Sequence, residues 1–223
     1  PADRQGEVFH RYILGVYDLY ERLTTAFPQI LFESCASGGG RFDPGMLYYA
    51  PQGWISDDTD AAERVRIQYG TSMCYPISSM GSHVTSLHTR ANVAYFGTFG
   101  YELDLNKLTD EEIAEVKAQI IFMKEYRELI QFGNFYRLKS PFDGNETVWM
   151  TVSEDKRKAL VFWYRERNVV NAEFTRVRLQ GLDPDLIYKN EYNGTENYGD
   201  ELMNLGLLTT DVTAGEPTNE DLP

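Results

Sequence analysis

Apolar residues recur at helical spacing over residues 7–27. This period places them on one face and predicts an amphipathic helix that ends at Pro28. The apolar run 29–33 follows at once and is typical of a buried parallel strand. It leads into the loop 34–41, where three consecutive glycines let the backbone approach another part of the molecule closely.

The alternation of strand and helix repeats downstream. Residues 52–56 predict a second strand, and residues 59–69 predict a helix whose N-cap is Thr59 or Asp60. An apolar run around 73–77 then precedes a loop rich in Ser and Gly that extends to about residue 88.

Two further helices complete this part of the chain. Residues 89–96 predict a short helix, and Thr109 with Glu112 forms the pattern of a capping box. The box begins a long amphipathic helix that ends at Gly133. The order helix, strand, loop, helix, strand, loop, helix predicts half of a βα barrel, with polar loops after the strands.

Short β segments replace the helices after Gly133. Residues 147–152 and 159–164 flank a polar turn and predict a hairpin. Further β segments follow between residues 174 and 192, and Asn193-Gly194 predicts a tight turn after them.

These patterns predict an α/β fold with two domains. We predict that residues 1–134 form half of a βα barrel and that residues 135–223 form a small antiparallel β domain. A chain of 223 residues is long enough for a medium domain and a small one. Its apolar content of 42% and charged content of 25% are those of an ordinary globular protein.

Charge and cysteine content narrow the class of partner and the compartment. The net charge of −13 argues against nucleic acid or an anionic membrane surface as a partner and suits a neutral substrate. Cys35 and Cys74 are too few for a disulfide framework, which favours a reducing, cytoplasmic location. There is no run of 18 apolar residues, and residues 1–6 lack signal-peptide character.

Acidic residues cluster directly after the second predicted strand, at Asp57, Asp58 and Asp60. Active sites of βα barrels lie at this edge of the sheet. Carboxylates this close repel one another, which raises the pKa of at least one, as a general acid near neutral pH requires. Trp54, three residues before Asp57, offers a low-dielectric wall and a stacking platform. The alternative is that a carboxylate only caps the following helix, for which Asp60 is the best candidate.

The first loop offers Glu33, Cys35 and Arg41. Glu33 is a second candidate for a catalytic carboxylate, but the cost of burying a charge favours a structural pair with Arg41. Cys35 has no neighbouring base that would make it a nucleophile, so a pocket-lining role is favoured. The chain has three histidines: His10, His83 and His88. They lack the spacing of metal ligands, so we predict no metal and no cofactor.

Three stretches resemble signatures of the α-galactosidases of glycoside hydrolase family 36. They are residues 31–43 (LFESCASGGGRFD), 54–64 (WISDDTDAAER) and 92–102 (NVAYFGTFGYE). The first two are long and specific, and with the β segments the resemblance covers essentially the whole chain. It implies that residues 1–134 are the C-terminal half of a TIM (β/α)8 barrel and that residues 135–223 are a small antiparallel β-sandwich domain. It also implies hydrolysis of terminal α-galactosyl groups, as in melibiose and raffinose, with retention of configuration.

The resemblance also implies roles for individual residues. Asp57, three residues after the motif Trp, resembles the acid/base, and Asp58 is the near alternative. Cys35 and the backbone near Gly38 border the galactose, and Trp54 walls the pocket. Members of the family are often tetramers, so we expect a homo-oligomer.

Two departures from the family pattern stand out. The family's nucleophile is an Asp in a Lys-Trp-Asp-Met-Asn-Arg-like strand, and no such motif occurs here. We therefore expect the nucleophile upstream of Pro1 and no activity from this chain alone. Relatives have a longer segment after Val84, so either this loop is truncated or residues are missing, in which case the backbone should break between Val84 and Leu87.

Two other functions stay open. A galactosyl-transferring enzyme on the same scaffold would carry the same motifs, because water and a second sugar compete for one galactosyl-enzyme. A non-catalytic sugar-binding or oligomerisation fragment would need the β domain but no complete catalytic centre.

Overall fold

The computed structural model describes residues 2–85, 89–167, 170 and 175–209. In the first part of the chain, helices alternate with parallel strands. The helices are α1 (Gln5–Ala26), α2 (Pro44–Tyr49), α3 (Ala61–Thr71), α4 (Thr89–Ala94) and α5 (Asp110–Phe132). The strands are β1 (Glu33–Ser34), β2 (Gln52–Trp54), β3 (Met80–Val84) and β4 (Thr98–Tyr101). All four strands pair in parallel, in the order β1-β2-β3-β4.

The predicted helices are present, and side-chain caps begin α3 and α5. At the start of α5 the Thr109 hydroxyl accepts a hydrogen bond from the Glu112 N–H (3.2 Å), and the Glu112 carboxylate accepts one from the Thr109 N–H (2.7 Å). This confirms the capping box. Helix α2 was not predicted; Asp43 caps it by accepting a bond from the Met46 N–H at 2.8 Å. Among the described helices none is both long and apolar enough to cross a bilayer.

Strand β3 lies where the sequence predicted a loop, so that prediction is wrong. Its sequence looks polar, but Met80 and Val84 are fully buried. Ser82 is also buried, and its hydroxyl donates to the side-chain oxygen of Gln68 at 3.0 Å. Because the Ser82 hydroxyl has a hydrogen-bond partner, this polar side chain can occupy a buried position in the strand. The predicted break between Val84 and Leu87 lies partly outside the described residues, and His88 lies wholly outside them.

The second part of the chain is built of antiparallel strands. They are β5 (Asn134–Lys139), β6 (Glu146–Val152), β7 (Ala159–Arg165), β8 (Arg176–Val177), β9 (Ile187–Lys189), β10 (Glu196–Tyr198) and β11 (Leu207–Leu208), with α6 (Gly199–Asn204) before the last. Strands β5, β6 and β7 form one sheet, and the pairing of β6 with β7 confirms the predicted hairpin. Gly194, with φ +74°, forms the tight turn between β9 and β10. The chain is thus an α/β protein with antiparallel sheets.

Strand β6 is buried on both faces and joins two apolar clusters. One face, with Val148 and Met150, packs among buried residues of the antiparallel part: Val152, Val177, Leu179, Leu182 and Leu202. The opposite face carries Trp149, which packs with Tyr69 of α3 and with Phe96. An ion pair between Arg66 of α3 and Glu166 lies across the same contact. The antiparallel sheet is therefore held against the helices and strands of the first part.

Candidate active site

The loops that follow β1 and β2 lie directly against each other. Because the strands are parallel, with Ser34 opposite Gly53, both loops leave the sheet at its carboxyl edge. Gly38 adopts φ +69°, and a Cβ on it would lie 2.8 Å from the Ser56 Cα and 3.0 Å from the Asp57 nitrogen. Only glycine fits such a backbone and such a contact. The glycine loop thus seats the segment that carries Asp57.

Arg41 holds the first loop, and the predicted pair of Arg41 with Glu33 is wrong. The Arg41 guanidinium donates to the Cys35 carbonyl (2.7 Å) and to the Tyr12 hydroxyl (3.1 Å). Glu33 instead accepts a hydrogen bond from the Gln52 side chain, since the strand register places these two residues opposite each other. Cys35 is an exposed free thiol at this edge.

The three aspartates of the acidic segment make different contacts. Asp57 is exposed, and its Oδ1 accepts a hydrogen bond from Nε1 of the buried Trp54 at 2.9 Å. Asp58 is also exposed, but its Oδ1 accepts from the Asp60 N–H at 2.9 Å, within its own turn. The Asp60 carboxylate accepts from the N–H groups of Ala62 (2.9 Å) and Glu63 (3.2 Å), which confirms it as the N-cap of α3.

His83 and Glu102 join this edge, although the sequence analysis gave neither a role. The His83 imidazole stacks on Trp54, with ring centroids 4.7 Å apart and an interplanar angle of 30°. Its Nδ1 lies 3.0 Å from Oε1 of Glu102. His83 is in β3 and Glu102 directly follows β4, so correct bounds for these two strands would have placed both residues at the edge.

Arg64 is a third residue that the sequence analysis missed. It is only 3% exposed, and its guanidinium lies 4.7 Å from the centre of the Trp54 ring. It donates to the carbonyl oxygens of Gly81 (2.7 Å) and Ser56 (3.2 Å). Burial lowers the pKa of Arg64 to about 10, while the negative charges of Asp58 and Glu102 act in the opposite direction. Arg64 therefore stays a cation at neutral pH, next to the acidic segment.

The carboxyl edge of the parallel sheet thus combines exposed carboxylates with an indole, an imidazole and a buried cation. Carboxylates that reach solvent can exchange protons with a bound molecule and accept hydrogen bonds from hydroxyl groups. In the described ranges no three His, Cys, Asp or Glu side chains are close enough to share a metal ion. The chemistry available from these residues is proton transfer and the binding of polar, hydroxylated ligands.

Comparison with known proteins identifies relatives over nearly the whole chain. Residues 1–133 match the Melibiase family, and residues 146–219 match the glycosyl hydrolase family 36 C-terminal domain. α-Galactosidase AgaA of Geobacillus stearothermophilus is 53% identical over 218 residues, which cover 93% of this chain and 30% of AgaA. The chain therefore spans about a third of the length of the curated relatives that it matches.

Solved structures agree with these matches. The crystal structure of the family 36 α-galactosidase AgaB from Geobacillus stearothermophilus superimposes with a TM-score of 0.89 at 52% identity, over 94% of this chain and 30% of AgaB. A variant of AgaA in complex with raffinose gives a TM-score of 0.87 at 48% identity, over 96% of this chain and 31% of that protein. The chain belongs to glycoside hydrolase family 36, the family of these α-galactosidases.

Proposed function

We propose that the protein containing this chain is a retaining α-galactosidase and that this chain supplies its general acid/base, Asp57. The substrates are α-galactosides such as melibiose and raffinose. Family membership and the raffinose complex of a relative support the reaction and the substrate class. The observation that carries the assignment is the position of Asp57: it is exposed at the carboxyl edge of the parallel strands and held by the Trp54 N–H at 2.9 Å.

Asp57 is favoured over its neighbour Asp58 because the two carboxylates are engaged differently. Asp58 accepts a bond from the Asp60 N–H and so stabilises the turn before α3. Asp57 makes its contact with a side chain that belongs to the site. Asp58 remains the alternative acid/base. In this proposal Cys35, the Gly38 backbone and Trp54 border the galactose.

The reaction requires two carboxylates about 5 Å apart. Protonated Asp57 gives its proton to the glycosidic oxygen while the bond from that oxygen to the anomeric carbon breaks, and a nucleophilic carboxylate forms the galactosyl-enzyme. Asp57, now ionised, then takes a proton from the water that attacks the anomeric carbon and releases galactose. We assign the nucleophile to a part of the protein outside this chain, because the relatives are about three times longer. The chain by itself is then inactive.

The same proposal accounts for the apolar surface near the start of the chain. The large exposed apolar side chains there are Val8, Phe9, Tyr12, Leu14, Leu19, Phe27, Ile30 and Leu31. Strand β1 pairs with β2 but has no described partner on its other side. An upstream half of a (β/α)8 barrel would cover these side chains and pair with the open edges of β1 and β4.

The relatives are named as α-galactosidases and give no support to a non-catalytic sugar-binding fragment. A galactosyl-transferring activity has no specific observation in its favour. The homo-oligomeric state and the cytoplasmic location stay predictions; light scattering of the full-length protein tests the first, and cell fractionation tests the second.

The test is a kinetic comparison of the full-length enzyme with its Asp57→Asn and Asp58→Asn variants. Loss of the acid should reduce kcat/KM for raffinose by about 10²–10⁴-fold, and reduce it much less for an aryl galactoside whose leaving group needs no protonation. We expect this pattern for Asp57→Asn only. Asp60→Asn, which keeps a capping side chain, is the matched control. The assignment fails if both substrates lose activity equally in Asp57→Asn.

A further inference from the structure

Arg64, Trp54 and Asp57 form a continuous chain of contacts that begins in the interior and ends at solvent. The guanidinium of Arg64 lies over the Trp54 ring at 4.7 Å, and the indole N–H of Trp54 donates to Asp57 at 2.9 Å. The exposed fraction rises along this series of contacts, from 3% at Arg64 and 8% at Trp54 to the exposed Asp57. The indole therefore links the side chain of Arg64 to the Asp57 carboxylate.

The two hydrogen bonds of Arg64 also connect the backbone on either side of Trp54. One goes to the Ser56 carbonyl, directly before Asp57, and the other to the Gly81 carbonyl in β3. Gly81 itself lies against the indole, since a Cβ there would be 3.1 Å from Cε3 of Trp54. A planar guanidinium can span two carbonyls and stack on a ring at once, whereas an ammonium group cannot.

We propose that Arg64 is a positioning residue for the acid/base: it fixes the Trp54 ring and the Ser56 backbone, and through the indole N–H it sets the direction of the Asp57 carboxylate. This inference rests on the proposed function of Asp57. A displacement of about 1 Å at a catalytic group costs about 10²-fold in rate. The contacts from Arg64 through Trp54 provide such precise placement for the exposed Asp57 carboxylate.

The alternative is that Arg64 only stabilises the fold. The distinguishing experiment uses Arg64→Lys in the full-length enzyme, which keeps the charge but loses the double carbonyl bond and the planar stack. Arg165→Lys is the matched control, because Arg165 also lies over an indole (Trp163, 4.8 Å) and is largely buried, but belongs to the antiparallel sheet. Steady-state kinetics are measured with raffinose and with an aryl galactoside that has a good leaving group.

For Arg64→Lys we expect kcat on raffinose to fall about 10–100-fold, with a several-fold smaller loss on the aryl galactoside and little change in KM. In an Asp57→Asn background the same substitution should change the raffinose rate by no more than about two-fold, because its effect passes through that carboxylate. Arg165→Lys should leave both rates within about two-fold of the parent.

Equal losses on the two substrates, or a loss that is fully retained in the Asp57→Asn background, would overturn the proposal for Arg64 and leave the role of Asp57 intact. If Asp57→Asn itself shows no dependence on the leaving group, the proposed function fails first, and the two failures are thereby distinguished. If Arg64→Lys does not fold, Trp54→Phe breaks the same chain at the indole N–H and is judged by the same two criteria.

Discussion

Trp54 and Trp149 are both buried indoles, and the molecule uses them in opposite ways. Trp149 is 1% exposed and stacks on Phe162 with ring centroids 4.3 Å apart. Its Nε1 has no hydrogen-bond partner among the described residues. Trp54 lies against Arg64 and His83 and donates its N–H to Asp57. One indole therefore acts as apolar volume between two parts of the chain, and the other as a polar link to an exposed carboxylate.

The largest effect on stability should follow from Trp149→Ala. Truncating a fully buried indole removes apolar burial and leaves a cavity, which costs about 3–5 kcal/mol in the free energy of unfolding. Trp149→Phe should cost much less, because no hydrogen bond to a described group is lost. Urea unfolding of the full-length protein, followed by circular dichroism, measures both. A loss below about 1 kcal/mol for Trp149→Ala would show that the contact between the two parts does not depend on this side chain.

Trp54→Phe should affect activity more than stability. It keeps most of the aromatic surface but removes the hydrogen-bond donor to Asp57. We therefore expect the free energy of unfolding to fall by about 1 kcal/mol and kcat on raffinose to fall about tenfold. Trp149→Phe, measured in parallel, should leave kcat within about two-fold of the parent. If both Phe variants change kcat equally, the contrast between the two indoles does not hold.

The two tryptophans also mark what the sequence could predict. Periodicity and capping patterns predicted α1, α3, α5 and the β6–β7 hairpin, because apolar spacing and caps are local features. The sequence also predicted a short strand directly before the aspartates, and β2 does end at Trp54, three residues before Asp57. The sequence gives no means of telling that Trp54 offers its N–H to Asp57 while Trp149 is packed against Phe162.

What the sequence could not predict depends on contacts between distant residues. Strand β3 looks like a polar loop because its Ser82 is satisfied by Gln68, 14 residues away. Without β3 and β4, His83 and Glu102 could not be placed at the carboxyl edge. Arg64 looks like an ordinary charged residue of an exposed helix face, and only the fold shows that it is buried over Trp54.

Asp60→Ala tests whether the acidic segment divides into a catalytic and a structural part. Loss of an N-cap costs about 1 kcal/mol in the free energy of unfolding, and Asp60→Asn should recover most of that loss. Neither variant should change the ratio of activities on raffinose and an aryl galactoside, because the Asp60 carboxylate bonds only to backbone N–H groups in the contacts described here. A ratio that moves as it does in Asp57→Asn would contradict this division.

The smallest effect concerns the pH dependence of stability in the antiparallel sheet. Burial alone would raise the pKa of Glu146, but hydrogen bonds from Lys139 and Arg165 outweigh it and hold the pKa below its ordinary value. A carboxylate with a depressed pKa stabilises the fold above its unfolded pKa, about 4.3, and loses that contribution as the pH falls through the folded value. Unlike Asp57 at the edge, Glu146 is paired with two cations and has a structural role.

Glu146→Gln should therefore be less stable than the parent at pH 7, and the difference between the two should narrow as the pH is lowered from about 5 to 3. Urea midpoints measured across this range test it, with Glu154→Gln, in the exposed turn between β6 and β7, as the control. A difference that stays constant with pH would mean that the glutamine disturbs packing and that the ion pairs contribute little. A narrowing difference would instead show that the Glu146 carboxylate stabilises the antiparallel sheet through its charge, in contrast to the exposed Asp57, for which we propose a role in proton transfer.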